Sequence, residues 1–324
     1  MTAIRIPGPI NPTTTLIDFG LYGVAGMGAV YLIRDRMDVL IDAGTRKEAP
    51  ELVKKLKKMK AFPPEIVILT HAHYDHTQGI PVLREHAAKM KKGFDLLASP
   101  QTIPLLADET YNRDFDYGPY RAITDVVPIK PGEKLTVGGT TLRIHALPGH
   151  TDDQIGVLDE TQGNFFIGDA LGSKLAGGLF LPPFEPPAWD PLAFQNTIDY
   201  LAEVEYDSLC LGHFGVIKGE EAHSILAEAA ANCQKWWALF EENENRLDDT
   251  GYMVEMVMRV IKRDIPPSKE PTSGNRTLPG LANRFQRLIR GEPGDLGDKL
   301  LGRIVKQLTA GYRIYKRHQL NGSS

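Results

Sequence analysis

The first half of the chain alternates short apolar clusters with turn-forming residues. Thr15-Leu16-Ile17-Asp18-Phe19, Ala29-Val30-Tyr31-Leu32-Ile33 and Val39-Leu40-Ile41 read as strands, since β-branched and aromatic residues in runs this short suit a pleated surface. Arg34-Asp35-Arg36 suits a hairpin turn between the second and third, and Asp42-Ala43-Gly44 ends the third with a residue that tolerates either backbone sign. A helix is predicted at 48–60, stopping before Pro63-Pro64. Ile66-Val67-Ile68-Leu69 is then wholly apolar, the pattern of a strand covered on both faces, and it empties into His71.

The β pattern continues at Leu96-Leu97-Ala98, in the pair 134–137 and 141–144 hinged on Gly138-Gly139, and at 154–158 and 164–168. Helices are expected at 79–91 and 191–203. Strands and helices are interspersed, but hairpins occur where a purely parallel sheet would need crossovers, so the body is a mixed α/β fold. From Glu220 to about Leu247, Ala222, Ile225, Leu226, Ala229, Trp236 and Phe240 recur at the three-and-four spacing of a long helix. Residues 251–264, 280–290 and 296–317 also show helical spacing, broken by Pro266-Pro267 and by Gly/Pro-rich stretches. Two units are expected, a body at 1–218 and a helical extension at 219–324. Within the extension Met253, Met256, Met258, Phe285 and Tyr312 are read as core.

Composition changes this picture little: 42% hydrophobic and 24% charged residues in 324 exclude a disordered, collagenous or disulfide-scaffold chain. No uncharged apolar run approaches the ~18 residues of a membrane span, and the opening segment to Pro7 lacks a secretory signal's apolar stretch. With only Cys210 and Cys233 as thiols, the expectation is a reducing, cytoplasmic home. Charge is more informative. Residues 251–324 hold 14 Lys+Arg against 6 Asp+Glu, while residues 1–250 hold 23 against 35. A basic segment of that kind can meet nucleic acid, an anionic substrate or the acidic body beside it. Its cations are dispersed along helices with few aromatics between them, which favours docking or solvation and sets nucleic acid aside as a partner.

The chemistry is concentrated in Thr70-His71-Ala72-His73-Tyr74-Asp75-His76-Thr77, three histidines and a carboxylate within six residues after an apolar strand. With nine His and 22 Asp in the chain, HxHxDH arises by chance in roughly one such sequence in 2,000, so it calls for a mechanism. Imidazole and carboxylate are ligands of zinc, iron and manganese, and a strand end lets a turn fold them around one point. More donors stand where other apolar strands run into glycine: His150 in Leu147-Pro148-Gly149-His150, Asp169 in Phe166-Ile167-Gly168-Asp169, and His213 in Leu211-Gly212-His213. Seven donors are too many for one tetrahedral ion. They suit two divalent transition-metal ions, zinc taken first with iron or manganese admitted by the same donors, sharing a carboxylate.

This arrangement resembles the metallo-β-lactamase fold superfamily over about residues 10–215. The resemblance implies an αββα sandwich of two mixed sheets with metals at one edge. It implies that His71, His73 and His150 hold one ion, that Asp75, His76 and His213 hold the other, and that Asp169 bridges them. Within the superfamily the pattern is more similar to the glyoxalase II (hydroxyacylglutathione hydrolase) and lactonase branches than to the true β-lactamases, which usually carry Cys or Ser where Asp169 stands. The chain departs from both branches. Ala170-Leu171-Gly172-Ser173-Lys174 replaces the Gly-Cys-Gly-Arg type segment of the glyoxalase pattern, and Gly172 stands where homoserine-lactone lactonases carry tyrosine. The long helical C-terminus resembles that of glyoxalase-II-like proteins with a helical cap.

The expectation is a metal-dependent hydrolase. Hydroxide generated between two cations would open a carboxylic ester, thioester or lactone of a small acyl substrate, with Asp75 as proton shuttle. Two rivals stay open: a phosphodiesterase or ribonuclease of the same fold, and a signalling or binding protein acting through its helical tail. An apolar side of an appended helix suits either a homodimer seam or a cover over the chain's own pocket. Asp42, at a strand end, is read either as orienting a ligand histidine through its second nitrogen or as a turn residue. His145 is read as an ordinary strand histidine. Three loops are expected to shape a pocket: Gly20 to Gly28, the insert with Tyr111, Phe115, Tyr117 and Tyr120, and Phe180 to Trp189.

Overall fold

The computed structural model of the chain describes residues 3–4, 6–115, 117–175, 179–213, 215–264 and 295–322. The helix expected at 280–290, with Phe285, lies outside them. Two seven-stranded mixed sheets form the centre. In the first, β2 (Gly8–Pro9), β3 (Thr14–Asp18), β4 (Ala29–Arg34), β5 (Asp38–Ile41), β6 (Ile66–Ile68), β7 (Asp95–Ala98) and β8 (Val127–Pro128) lie side by side in that order. The pairings are antiparallel up to β5 and parallel from β5 to β8. In the second the order is β1 (Ala3–Ile4), β16 (Gly215–Lys218), β15 (Ser208–Leu211), β12 (Asn164–Gly168), β11 (Ile155–Asp159), β10 (Thr140–Ala146) and β9 (Lys134–Val137). Among the described residues only β12 and β15 run parallel in this sheet, while β13 (Ser173–Lys174) and β14 (Phe180–Leu181) pair antiparallel apart from it.

Period-two alternation decides which side chains fill which layer. Tyr31, Ile33, Val39, Ile41, Ile66 and Ile68 share one buried cluster with Leu142, Ile144, Val157 and Phe166, which packs the two sheets face to face. Their neighbours Val30, Leu32, Leu40 and Val67 point the other way, into the cluster that holds α1 (Ala49–Lys58), α3 (Ile80–Lys89) and α4 (Thr102–Ala107) through Leu52, Leu56, Leu83 and Leu106. Sequence places α1 where it does: Pro50 is at its first turn with Glu51, and Lys55, Lys57 and Lys58 close its last turn, as the helix dipole favours. On the opposite side α5 (Pro191–Glu203) and α6 (Glu220–Glu242) cover the second sheet. Asp190 caps α5 by accepting from the amides of Leu192 and Ala193. The result is an αββα sandwich.

Among the described residues the extension consists of α6, a 3₁₀ turn at Glu244–Arg246, α7 (Thr250–Asp264) and α8 (Asp295–Gly322). Its buried side chains, including Trp236, Phe240, Met253, Leu308 and Tyr312, belong to the same cluster as the outer face of the second sheet. Trp236 Nε1 and Asn232 Nδ2 both donate to Phe180 O, at 3.0 and 2.9 Å, tying α6 to the proline-rich loop. α8 also reaches across to the segment at Arg113–Phe115. No helix among the described residues is long and apolar enough to cross a membrane.

Candidate metal centre

All seven predicted donors meet at one edge of the sandwich. His71 follows β6. His73 stands at the head of the short helix α2 (Tyr74–Thr77), whose single turn carries Asp75 and His76. His150, Asp169 and His213 follow β10, β12 and β15, so both sheets deliver residues to the same point. One donor atom each of His71, His73 and His150 lies within 4.8 Å of the others, and the same holds for His71, His76 and Asp169, and for Asp75, His76 and His213. Asp169 is central: its Oδ2 lies 3.3 Å from His76 Nε2, 3.2 Å from His213 Nε2 and 3.8 Å from His150 Nε2. The close approach depends on glycine. A Cβ on Gly212 would fall 2.4 Å from Asp169 Oδ1 and 2.7 Å from the His76 ring.

Partners outside the cluster fix the tautomers. His76 Nδ1 donates to Asp42 Oδ2 at 2.7 Å, His150 Nδ1 to Pro183 O at 2.6 Å and His213 Nδ1 to Met27 O at 2.6 Å. The Thr70 hydroxyl donates to the Asp42 carboxylate, so it accepts from His71 Nδ1 at 3.0 Å. Each of these four rings therefore turns its Nε2 inward, the nitrogen left to ligate once any proton on it is displaced. His73 differs: its Nδ1 faces His150 Nε2 at 2.9 Å, two ring nitrogens converging on one point.

The chemistry of this set fits divalent cations. Nε2 of His71 and His73 and Oδ1 of Asp169 are buried with no hydrogen-bond partner, a costly state for three polar atoms that a cation would relieve. Burial and neighbouring imidazoles push His71, His73 and His150 below the ordinary range, so these rings are neutral and ready to ligate. Burial also opposes charge on His76 and His213. There it is outweighed by Asp169 with Asp42, and by Asp169 with Asp75, which hold the two rings well above the ordinary value. Asp169 and Asp75 are held ionised despite their burial, chiefly by His213 and His76. A buried field negative enough to keep protons on two imidazoles is one that attracts metal cations to the same atoms.

The three expected loops all reach the centre. The glycine-rich loop supplies Met27 O, and the proline-rich loop supplies Pro183 O. In the aromatic insert Phe115 packs on the His73 ring with centroids 4.8 Å apart. Asp42 takes the orienting role: it accepts from His76 and from both the amide and hydroxyl of Thr70. His145 lies away from the centre on β10, its Nδ1 2.6 Å from the Tyr200 hydroxyl.

Five side chains take roles that the sequence reading did not assign to them. Asn112 clamps the motif, accepting from Tyr74 N at 3.0 Å and donating to Ala72 O at 3.1 Å. Thr70 relays Asp42 to His71. The hydroxyls of Tyr22 and Tyr74 are hydrogen-bonded to each other. Glu185 faces the cluster, its carboxyl pushed up to about 8 by burial and by the charges of Asp75 and Asp169. Thr70 abutting the motif, Tyr74 inside it and Tyr22 in the glycine-rich loop carried a positional signal, whereas Asn112 and Glu185 carried none for these roles.

The αββα sandwich and its edge cluster agree with the comparisons. Residues 23–213 match the model of the metallo-beta-lactamase superfamily, and the chain belongs to that family. It is 26% identical over 187 residues to a hydroxyacylglutathione hydrolase of Yersinia enterocolitica, covering 57% of this chain and 61% of that one. It is 30% identical over 139 residues to hydroxyacylglutathione hydrolase 1 of Vibrio vulnificus, covering 43% and 45%. An uncharacterized protein of Bacillus subtilis, YobT, is 28% identical over 198 residues, covering 56% of this chain and 81% of YobT. The match thus spans about half to three-fifths of the two hydrolases. Among solved structures, an archaeal superfamily member from Sulfolobus tokodaii superposes with a TM-score of 0.55 at 16% identity, over 96% of this chain and 97% of that one. The subclass B3 metallo-beta-lactamase BJP-1 of Bradyrhizobium japonicum gives 0.56 at 20% identity, over 73% and 95%. At these identities the likeness is one of fold.

Proposed function

We propose that this chain is a dinuclear metallo-hydrolase that cleaves a carboxylic ester, thioester or lactone of a small acyl substrate. The observation that carries the reading is the inward convergence of histidine ring nitrogens around Asp169. His71, His73 and His150 would hold one ion, Asp75, His76 and His213 the other, and Asp169 both. Two divalent cations bound there, zinc being the first choice, would supply the Lewis acidity that makes a nucleophile from water at neutral pH and polarises a carbonyl.

The rest is done by the chain. Asp42, Thr70, Met27 O and Pro183 O keep the rings from rotating, so the donor geometry is set before substrate arrives. Asp75 is ionised, with Oδ2 3.3 Å from His213 Nε2, and in this reading it accepts the proton released from water and returns it to the leaving group. The Tyr22, Tyr74 and Phe115 side of the centre excludes bulk water. The hydrolase names among the relatives support this chemistry, and Asp169, where true β-lactamases usually carry Cys or Ser, supports an acyl ester or thioester over a β-lactam.

The test is elemental analysis of the purified, reconstituted protein with a panel of esters, thioesters, lactones and RNA. The expected result is up to two transition-metal ions per chain, with acyl hydrolysis abolished by Asp75→Asn. Absence of metal uptake, or RNA cleavage with no acyl hydrolysis, would overturn the proposal.

A further inference from the structure

Glu185 stands in the loop between β14 and α5, and three contacts fix the backbone that carries it. Two residues before it, Pro183 O accepts from His150 Nδ1 at 2.6 Å. The Phe184 ring is buried among Trp189, Trp237 and Phe240, with centroids 5.6–5.9 Å apart. The peptide that joins Phe184 to Glu185 lies against α8 at Gly311, where a Cβ would fall 2.5 Å from Phe184 O and 2.9 Å from Glu185 N. The segment is thus pinned to a metal donor on one side and to the helical extension on the other. A side chain on such a segment is held in place before any ligand arrives.

The Glu185 carboxyl faces the donors, yet none of them engages it. Asp75, Asp169, His213 and His76 are the charged groups that act on it, and its own charge reaches the hydroxyls of Tyr22 and Tyr74. The other acids of the centre have partners: Asp42 holds His76 and Thr70, Asp75 meets His213, and Asp169 meets His76 and His213. Glu185 has neither a hydrogen bond nor an ion pair among the described residues, and it is partly exposed where those three acids are buried. In the metal-free fold, burial and the charges of Asp75 and Asp169 favour its proton. Cations on the donors would offset those two charges and leave Glu185 as an ionised acid without a counter-ion. Beside rings that exclude bulk water, its field is screened less than on an open surface.

The geometry points to Glu185 as a specificity-determining residue that takes the cationic end, an ammonium group, of a substrate whose acyl carbonyl is presented to the metal donors. The inference rests on the hydrolase reading and narrows it, from acyl compounds in general to those bearing a positive charge a few bonds from the scissile carbonyl. It also supplies the rejecting half of specificity, because a carboxylate at that place repels acyl chains that end in a carboxylate. Glu185 makes and breaks no bond; it sets affinity and orientation.

The test pairs kinetics with binding, on the metal-loaded protein and its Glu185→Gln, Glu185→Asp and Glu185→Lys variants. The kinetic substrates are three 4-nitrophenyl esters: that of 4-(trimethylammonio)butanoic acid, which is cationic, that of 5,5-dimethylhexanoic acid, its neutral isostere, and the monoester of glutaric acid, which is anionic. The protein should prefer the cationic ester and use the anionic one least. Glu185→Gln should cut the cationic-to-neutral ratio of kcat/KM about tenfold or more, mainly through KM, with partial rescue by aspartate. Glu185→Lys should invert the order in favour of the glutarate ester. Calorimetry with free 4-(trimethylammonio)butanoate and 5,5-dimethylhexanoate, which needs no turnover, should show tighter binding of the cationic acid and loss of that difference in Glu185→Gln. Equal use of the three esters, or a preference the variants leave intact, overturns the inference while sparing the hydrolase reading. Loss of bound metal from Glu185→Gln also overturns it, since the residue would then be a ligand. If no ester is cleaved the hydrolase reading is what fails, and calorimetry still decides Glu185: equal affinity for the two acids overturns the inference.

Discussion

Asp42→Asn isolates the orienting role of one carboxylate at nearly constant volume. Asp42 sits on the left-handed backbone, at φ 62°, which asparagine tolerates as well as aspartate, so the change adds no strain. The native carboxylate accepts from His76 Nδ1 at 2.7 Å with one oxygen and from Thr70 N at 2.8 Å with the other. An amide has one acceptor oxygen. In one rotamer its NH₂ faces the Thr70 amide donor. In the other it faces His76, whose ring must then give up its Nδ1 proton and keep one on Nε2, the nitrogen that a metal would need. Either way a buried charge-assisted contact goes, at about 1.5–3 kcal/mol. Loss of a partner behind a metal ligand typically costs ~10–100-fold in metal affinity or activity, or about 1.4–2.8 kcal/mol at 1.4 kcal/mol per factor of ten, so the two routes agree. The assay is competition for metal against a chromophoric chelator, with circular dichroism to establish that the variant is folded. Affinity within twofold of the parent in a folded variant would refute the reasoning, because His76 would then need no orienting partner.

Metal binding should release protons. His76 and His213 have raised pKa values in the metal-free fold, so their contribution to its stability is complete below the ordinary histidine value of ~6.5 and fades as pH rises through the raised values. At pH 7 incoming cations displace those protons, and calorimetry in buffers of different ionisation enthalpy should detect between one and two per chain; zero would refute the pKa argument. Gly212→Ala should lower metal affinity at least tenfold, since its Cβ would fall 2.4 Å from Asp169 Oδ1; a variant that retains the parent's metal content and affinity would show that the approach is not tight. Leu142→Ala, fully buried between the sheets, should cost about 2–5 kcal/mol in urea unfolding, and a loss under 1 kcal/mol would mean the sheets collapse onto the gap.

Local rules and tertiary packing divide this protein between them. The patterns of Thr15–Phe19, Ala29–Ile33 and Ile66–Leu69 were enough to place strands, because a strand buried on one face writes its burial into alternate residues and one buried on both faces into a short continuous apolar run. The HxHxDH run and the glycine-flanked His150, Asp169 and His213 were legible because metal chemistry needs particular side chains whatever surrounds them. Asn112 was not legible: its amide clamps Ala72 and Tyr74 from 38 residues or more away in sequence, and an isolated asparagine in a loop carries no mark of what it will touch. The carbonyls of Met27 and Pro183 are invisible for a stronger reason, since every residue has one and only the path of the chain selects which meets a histidine. Arg303 and Lys47 stand in widely separated segments, and both meet the Tyr117 ring. Their convergence on Tyr117 came from α8 folding back across the Arg113–Phe115 segment, a long-range contact that sequence pattern does not encode. Residue chemistry named the donors; only the folded chain could decide their second partners, because those partners come from atoms far apart in sequence.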